Sequence, residues 1–122
     1  MCMEECVKEL MDRINLFVLE RDWNQFHSVK NLVTSISIEA AELIEIVQWD
    51  SPTVKEVVAN ETKLLAFSEE LSDVMIYCLR LCSILELEPL SIMHEKISKN
   101  EEKYPVETSK GRSTKYSDLE KS

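Results

Sequence analysis

The chain has 122 residues, enough for one domain or for one half of an obligate oligomer. Its 44% hydrophobic content suits a buried core and excludes a disordered tail; one glycine and three prolines exclude a turn-dense all-β chain, which needs a turn signal every ~8–12 residues. With 14 basic and 23 acidic side chains the net charge is −9, so no net basic field draws in a nucleic acid polymer or an anionic membrane. In chain order, four segments repeat apolar residues at helical period. The first spans Met3 to Glu20, with Ile14, Phe17 and Val18 on its inner face. A polar linker, 21–27, follows and holds two large aromatics, Trp23 and Phe26. Ser28 then reads as the N-cap of a helix from Val29 to Trp49. Ser51 and Pro52 read as N-cap and first position of a short helix, Thr53 to Asn60. A long helix is expected from Glu61 to Glu86. A fourth is expected from Leu90 to Lys103, opened by Pro89 and closed by Pro105. The expectation is an all-α antiparallel bundle of four main helices plus a short one, with residues 1–105 as one domain. Residues 106–122 read as a basic C-terminal tail. A chain this small with helices this apolar is expected to complete its core by oligomerisation.

The cysteines form two pairs, Cys2/Cys6 and Cys78/Cys82, each at i,i+4. That spacing suits neither a disulfide within the pair nor a zinc knuckle, and Cys78 and Cys82 read as reduced core thiols. No apolar run reaches the ~20 residues a membrane span requires. The start, Met1 to Glu9, carries acids and no basic flank, which speaks against a secretory signal. The expected location is cytoplasmic.

The chemistry is expected on the second and third long helices. Glu39 and Glu42 stand at i,i+3, in a sector shared with Ile38, Ile46 and Trp49. Glu70 and Asp73 repeat the spacing, in a sector shared with Ala66, Val74, Tyr77, Leu81 and Ile84. Acids among bulky apolar groups are costly to bury alone, and a cation removes that cost. Antiparallel packing brings the two pairs face to face, with Trp49 and Tyr77 each seven residues past one member. Four oxygen ligands without cysteine or histidine favour Mg²⁺, or Mn²⁺. Mg²⁺ commonly bridges to phosphates, and aromatics can stack on a base, so the set suits a nucleoside polyphosphate. A solvated pair of acids on each helix is the alternative. A di-iron carboxylate bundle needs Glu-x-x-His, whereas Asn24 and Ser91 stand three residues before His27 and His94. His27, beside Trp23, is a candidate ligand contact. Lys96, Asn100 and Lys103 share one face of the fourth helix and suit either phosphate oxygens or solvent. Lys110, Arg112 and Lys115 give the tail a basic segment able to close over phosphates, or to stay disordered.

Glu39-Ala40-Ala41-Glu42 followed by Glu70-Leu71-Ser72-Asp73 resembles the ExxE…ExxD signature of the MazG-like, all-α nucleoside triphosphate pyrophosphohydrolases. The linker 21–27, the stretches 42–49 and 69–77, and Tyr104-Pro105-Val106 through 115–119 look most like the dCTP pyrophosphatase branch. The resemblance implies Mg²⁺-dependent cleavage between the α and β phosphates, giving a nucleoside monophosphate and pyrophosphate. It also implies a homotetramer, a dimer of dimers. By position, Glu39, Glu42, Glu70 and Asp73 match the metal ligands, with Glu39 and Glu42 as candidate catalytic carboxylates. Trp23 and Trp49 match aromatics that sandwich the base, and Tyr77 lines the same pocket. Lys96 and Asn100 match polar groups near phosphates and sugar, and Lys103 stands where related sequences often have arginine. Two positions depart. Ile38 replaces an extra glutamate before the first ligand, and Ile14 replaces a histidine expected nine residues before Trp23. Loss of that polar reader is expected to relax or shift base discrimination. Two other readings use the same residues: a helical module that binds nucleotides without hydrolysing them, and a structural oligomerisation domain with solvated acids.

Overall fold

The computed structural model describes residues 2–119. Every regular element among them is helical: α1 (Met3–Glu20), a 3₁₀ turn (Asn24–Phe26), α2 (Val29–Glu45), α3 (Val54–Ala59), α4 (Glu61–Ile84), α5 (Pro89–Lys103), α6 (Val106–Ser109) and α7 (Tyr116–Leu119). The chain forms two compact units, Met1–Leu87 and Glu88–Ser122. No helix among the described residues is long and apolar enough to cross a membrane.

In the first unit α4 is the central rod, packed most extensively on α2 and also on α1 and α3. Three pairings establish that the segment through α2 and α4 run antiparallel. His27 meets Arg80, Glu39 lies with Asp73, and Asp50 pairs with Lys63. Positions rise on one strand of the hairpin and fall on the other. Leu32 and, on α1, Ile14 and Val18 are the buried apolar side chains of this unit among the described residues. Leu65, Leu71 and Met75 of α4 stay 59%, 44% and 55% exposed.

Caps explain most helix limits. Ser28 begins α2 as expected, its hydroxyl accepting the Asn31 N–H at 3.1 Å. The same helix ends at Glu45 rather than Trp49. Val47 and Gln48 donate to the carbonyls of Ile44 and Glu45, at 3.0 and 3.2 Å, so the chain tightens into i→i+3 turns ahead of Pro52. The cap of α3 is Thr53, not Ser51. Thr53 Oγ1 accepts the Glu56 N–H at 3.2 Å, and the Glu56 carboxylate accepts the Thr53 N–H at 3.2 Å. This reciprocal capping box satisfies two otherwise orphaned donors, an advantage that a proline at the first position does not match. Asn60 caps α4 through the Lys63 N–H at 3.0 Å.

In the second unit the Glu88 carboxylate accepts from Leu90 and Ser91 at 3.2 and 2.6 Å, opening α5 one residue earlier than expected, at Pro89. Residues 106–119 carry α6 and α7, joined through Gly111 at φ +74°, a left-handed conformation suited to glycine. Tyr104 meets Tyr116 edge-to-face at 6.4 Å, and Lys103 Nζ lies 5.9 Å from the Tyr116 ring centre. The described cysteines form no disulfide, in keeping with reduced thiols. The core placement needs correcting, since Cys78 is exposed and Cys82 half-buried.

Candidate active site

The aromatic linker is built by the end of α1. Arg21 is its C-cap, Asp22 turns left-handed at φ +53°, and two backbone bonds close the turn. Trp23 N–H reaches Val18 O at 3.0 Å, and Asp22 N–H reaches Leu19 O at 3.0 Å. This double closure is a Schellman motif, here without glycine. It turns Trp23 back onto α1, where its ring meets Phe17 edge-to-face at 5.6 Å. Gln25 Nε2 then donates to Asp22 O and Oδ2 at 3.0 and 3.1 Å, and Asn31 Nδ2 donates to Phe26 O at 2.9 Å. Side-chain bonds to the backbone thus hold the segment without a longer helix.

Trp23 and His27 of this linker, Ile14 and Phe17 of α1, and Asp73, Tyr77 and Arg80 of α4 surround a cavity of about 510 Å³. Ile14, where the resemblance expects a histidine, is 8% exposed and forms part of this wall. Asp73 also belongs to a second, open hollow of about 380 Å³ with Ser68, Glu69 and Glu70. Here the acids gather. One carboxylate oxygen each from Glu39, Glu70 and Asp73 lie within 4.8 Å of one another. The Glu42 carboxyl group is a close neighbour of both Glu39 and Glu70.

The electrostatics follow from that crowding. Glu39 is pushed up to about 7, first by its hydrogen bond with Glu42, then by partial removal from water, then by the charges of Glu42, Asp73 and Glu70. Glu70 is raised as well, again chiefly through Glu42. Glu39 and Glu70 are thus held protonated to higher pH than isolated carboxyls. Two oxygens, Glu39 Oε2 and Glu70 Oε2, are shut off from water and lack a hydrogen-bond partner. Orphaned acceptors in an all-oxygen cluster fit a hard divalent cation.

The other expected residues are placed as follows. Trp49 follows the end of α2, is 90% exposed, and does not line the cavity. Lys96, Asn100 and Lys103 are exposed on α5 of the second unit, and Lys110, Arg112 and Lys115 are exposed between α6 and α7. Sequence reasoning missed Arg80, which is buried at the cavity and donates to His27, Asn15 and Asn24. The signal was present. Seven residues past Asp73 is two helical turns less about 20°, which places an arginine on the acids' own face.

A model of the MazG-like family matches residues 34–119. The chain is 39% identical over 104 residues to dCTP pyrophosphatase 1 of Mus musculus, covering 84% of this chain and 61% of the relative. It is 34% identical over 105 residues to dCTP pyrophosphatase 1 of Homo sapiens, with 84% and 61% covered. The chain thus spans about three fifths of the length of the curated relatives it matches. A crystal structure of a pyrophosphatase from Archaeoglobus fulgidus superposes with a TM-score of 0.73 at 43% identity, covering 80% of this chain and 91% of that one. With the family match over most of its length and the acid pairs on α2 and α4 where that resemblance expects them, the chain belongs to the MazG-like family.

Proposed function

We propose that this protein is a Mg²⁺-dependent nucleoside triphosphate pyrophosphohydrolase. It converts a (d)NTP and water to the monophosphate and pyrophosphate, with a pyrimidine deoxynucleotide such as dCTP as substrate. The observation that carries the reading is the shared position of Asp73, which belongs both to the carboxylate cluster and to the wall of the aromatic cavity. The names of the relatives in Mus musculus, Homo sapiens and Archaeoglobus fulgidus support it.

Glu39, Glu42, Glu70 and Asp73 are the residues to hold the cation. When bound, it supplies charge neutralisation for the polyphosphate and polarises the bond to be cut. The chain's own groups do the remainder. Trp23 and Tyr77 give the base apolar surface, and the cavity wall keeps water from that end of the substrate. Glu39 and Glu42, members of the same cluster, are the proposed proton acceptors for the attacking water. Lys96, Asn100 and Lys103, and Lys110, Arg112 and Lys115, are the proposed partners of phosphate oxygens. Trp49, exposed in one chain, is proposed to complete the base site in a homotetramer.

The test is steady-state hydrolysis of the eight common NTPs and dNTPs with Mg²⁺, with products resolved as monophosphate plus pyrophosphate. Turnover of at least one pyrimidine deoxynucleotide is expected, and its loss on chelation. Release of orthophosphate instead would place the cut at the wrong bond. Nucleotide-dependent thermal stabilisation without product would leave a binding module.

A further inference from the structure

Arg80 is a permanent positive charge, 9% exposed on α4. Burying such a group is costly unless its donors are satisfied. Its three acceptors are all neutral. Nε donates to His27 Nδ1 at 3.1 Å, Nη1 donates to Asn15 Oδ1 at 2.9 Å, and Nη2 donates to Asn24 Oδ1. Asn15 is itself oriented, its Nδ2 donating to Ser83 Oγ at 3.2 Å. A planar guanidinium can serve three acceptors in fixed directions, which an ammonium on a flexible stem does not.

The consequence falls on His27. A guanidinium carries donors only, so the Nδ1 that meets it presents a lone pair. The neutral imidazole therefore has its proton on Nε2. Burial, and then the charge of Arg80, hold His27 below the ordinary imidazole value, so the neutral ring prevails at pH 7. His27 lines the cavity with Trp23 and Tyr77, and with Nδ1 occupied the ring nitrogen left for a ligand is Nε2.

We propose that Arg80 is a positioning residue acting through His27: by holding Nδ1 it makes the Nε2–H a fixed hydrogen-bond donor of the cavity, matched to a carbonyl oxygen or ring-nitrogen acceptor on a nucleobase edge. The ligand class rests on the reading of the cavity as a base pocket given above; the tautomer does not. The role assigned to Arg80 is selective, since it concerns the base and not the polyphosphate.

Two measurements on the full chain test this. The first is the ¹⁵N spectrum of the wild-type imidazoles, with His94→Gln to assign them. An Nε2–H tautomer at His27 is expected, giving way to a tautomer mixture in Arg80→Gln. The second compares dCTP with a deoxyribose triphosphate lacking the base. In Arg80→Gln the KM for dCTP should rise about three- to tenfold with little change in kcat, the effect of one lost hydrogen bond. The competitive inhibition constant of the base-free triphosphate should not move. In a His27→Phe background the Arg80→Gln change should add nothing to the KM for dCTP. A purely structural Arg80 would weaken both ligands alike and keep its effect without His27. Either that pattern or an Nδ1–H tautomer in the wild type overturns the proposal. Should Arg80→Gln not fold, Arg80→Lys replaces it, and the wild-type spectrum still decides. An Nε2–H tautomer with no turnover of any nucleotide sinks the enzymatic reading and supports the tautomer control. An Nδ1–H tautomer with normal turnover sinks this inference alone.

Discussion

Glu39 and Glu70 each keep one oxygen from both water and hydrogen-bond donors, an arrangement that single residues in water would not adopt. Their proximity to Asp73 and Glu42 makes charge the controlling variable. Replacing Glu42 by Gln or Asp73 by Asn removes one carboxylate charge from the cluster while keeping size. Either change should lower kcat/KM by about 100-fold or more. The far-ultraviolet circular dichroism should stay unchanged; near-normal rates in both variants would mean that the cation sits elsewhere. Linkage gives a second expectation. Glu39 rises from 4.5 to about 7 in the fold, so the native state binds more protons than the unfolded chain across that window. Its contribution to stability therefore falls as pH rises. His27, lowered by burial and Arg80, works in the opposite sense below its ordinary value. The comparison that isolates Glu39 is the metal-free wild type against Glu39→Gln. The variant should gain in Tm on the wild type between pH 5 and pH 8, and a constant difference would contradict the raised Glu39 value.

At the scale of elements, α4 is the rod on which the site is mounted, and its sequence shows why. Asp73, Tyr77 and Arg80 fall on one face at i, i+4 and i+7, so a single helix supplies an acid of the cluster, an aromatic wall of the cavity and the buried guanidinium. The helix ends in a second Schellman motif, with Glu86 at φ +55°, Leu87 N–H on Cys82 O at 2.9 Å and Glu86 N–H on Ser83 O at 3.3 Å. A left-handed glutamate carries a steric penalty that glycine does not. Glu86→Gly should therefore stabilise the protein by about 1 kcal/mol in urea unfolding. A loss of stability would show that the Glu86 side chain contributes more than its backbone costs. The positions of the helices were legible because the hydrophobic period and the caps agree at Ser28 and Pro89. The misread limits, Trp49 and Ser51, are places where two local signals compete and the hydrogen bonds of the folded chain choose between them.

At the scale of the whole molecule, the exposed apolar side chains are the informative feature. Leu65 and Met75 on α4, Ile38 and Ile44 on α2, and Trp49 are between 53% and 90% exposed. Leaving such surface in water is unfavourable, by about 25 cal/mol for each Å² that a second copy could cover. Sedimentation equilibrium should return four copies of the chain at micromolar concentration. Met75→Asp should shift that equilibrium towards smaller species. A wild-type monomer would remove both the tetramer and the role proposed for Trp49.

The sequence by itself determined the helical class, the order of the long helices and the acid pairs of α2 and α4. Those features depend on periodicities of three to four residues, which a linear pattern carries. Tertiary structure alone decided that Glu39, Glu70 and Asp73 meet within 4.8 Å, and that Arg80 turns inward to His27, Asn15 and Asn24. These residues stand up to 65 positions apart, and no local rule relates them. Only packing α1 and α2 onto one central helix sets their distances, and with them the charge and tautomer each side chain presents.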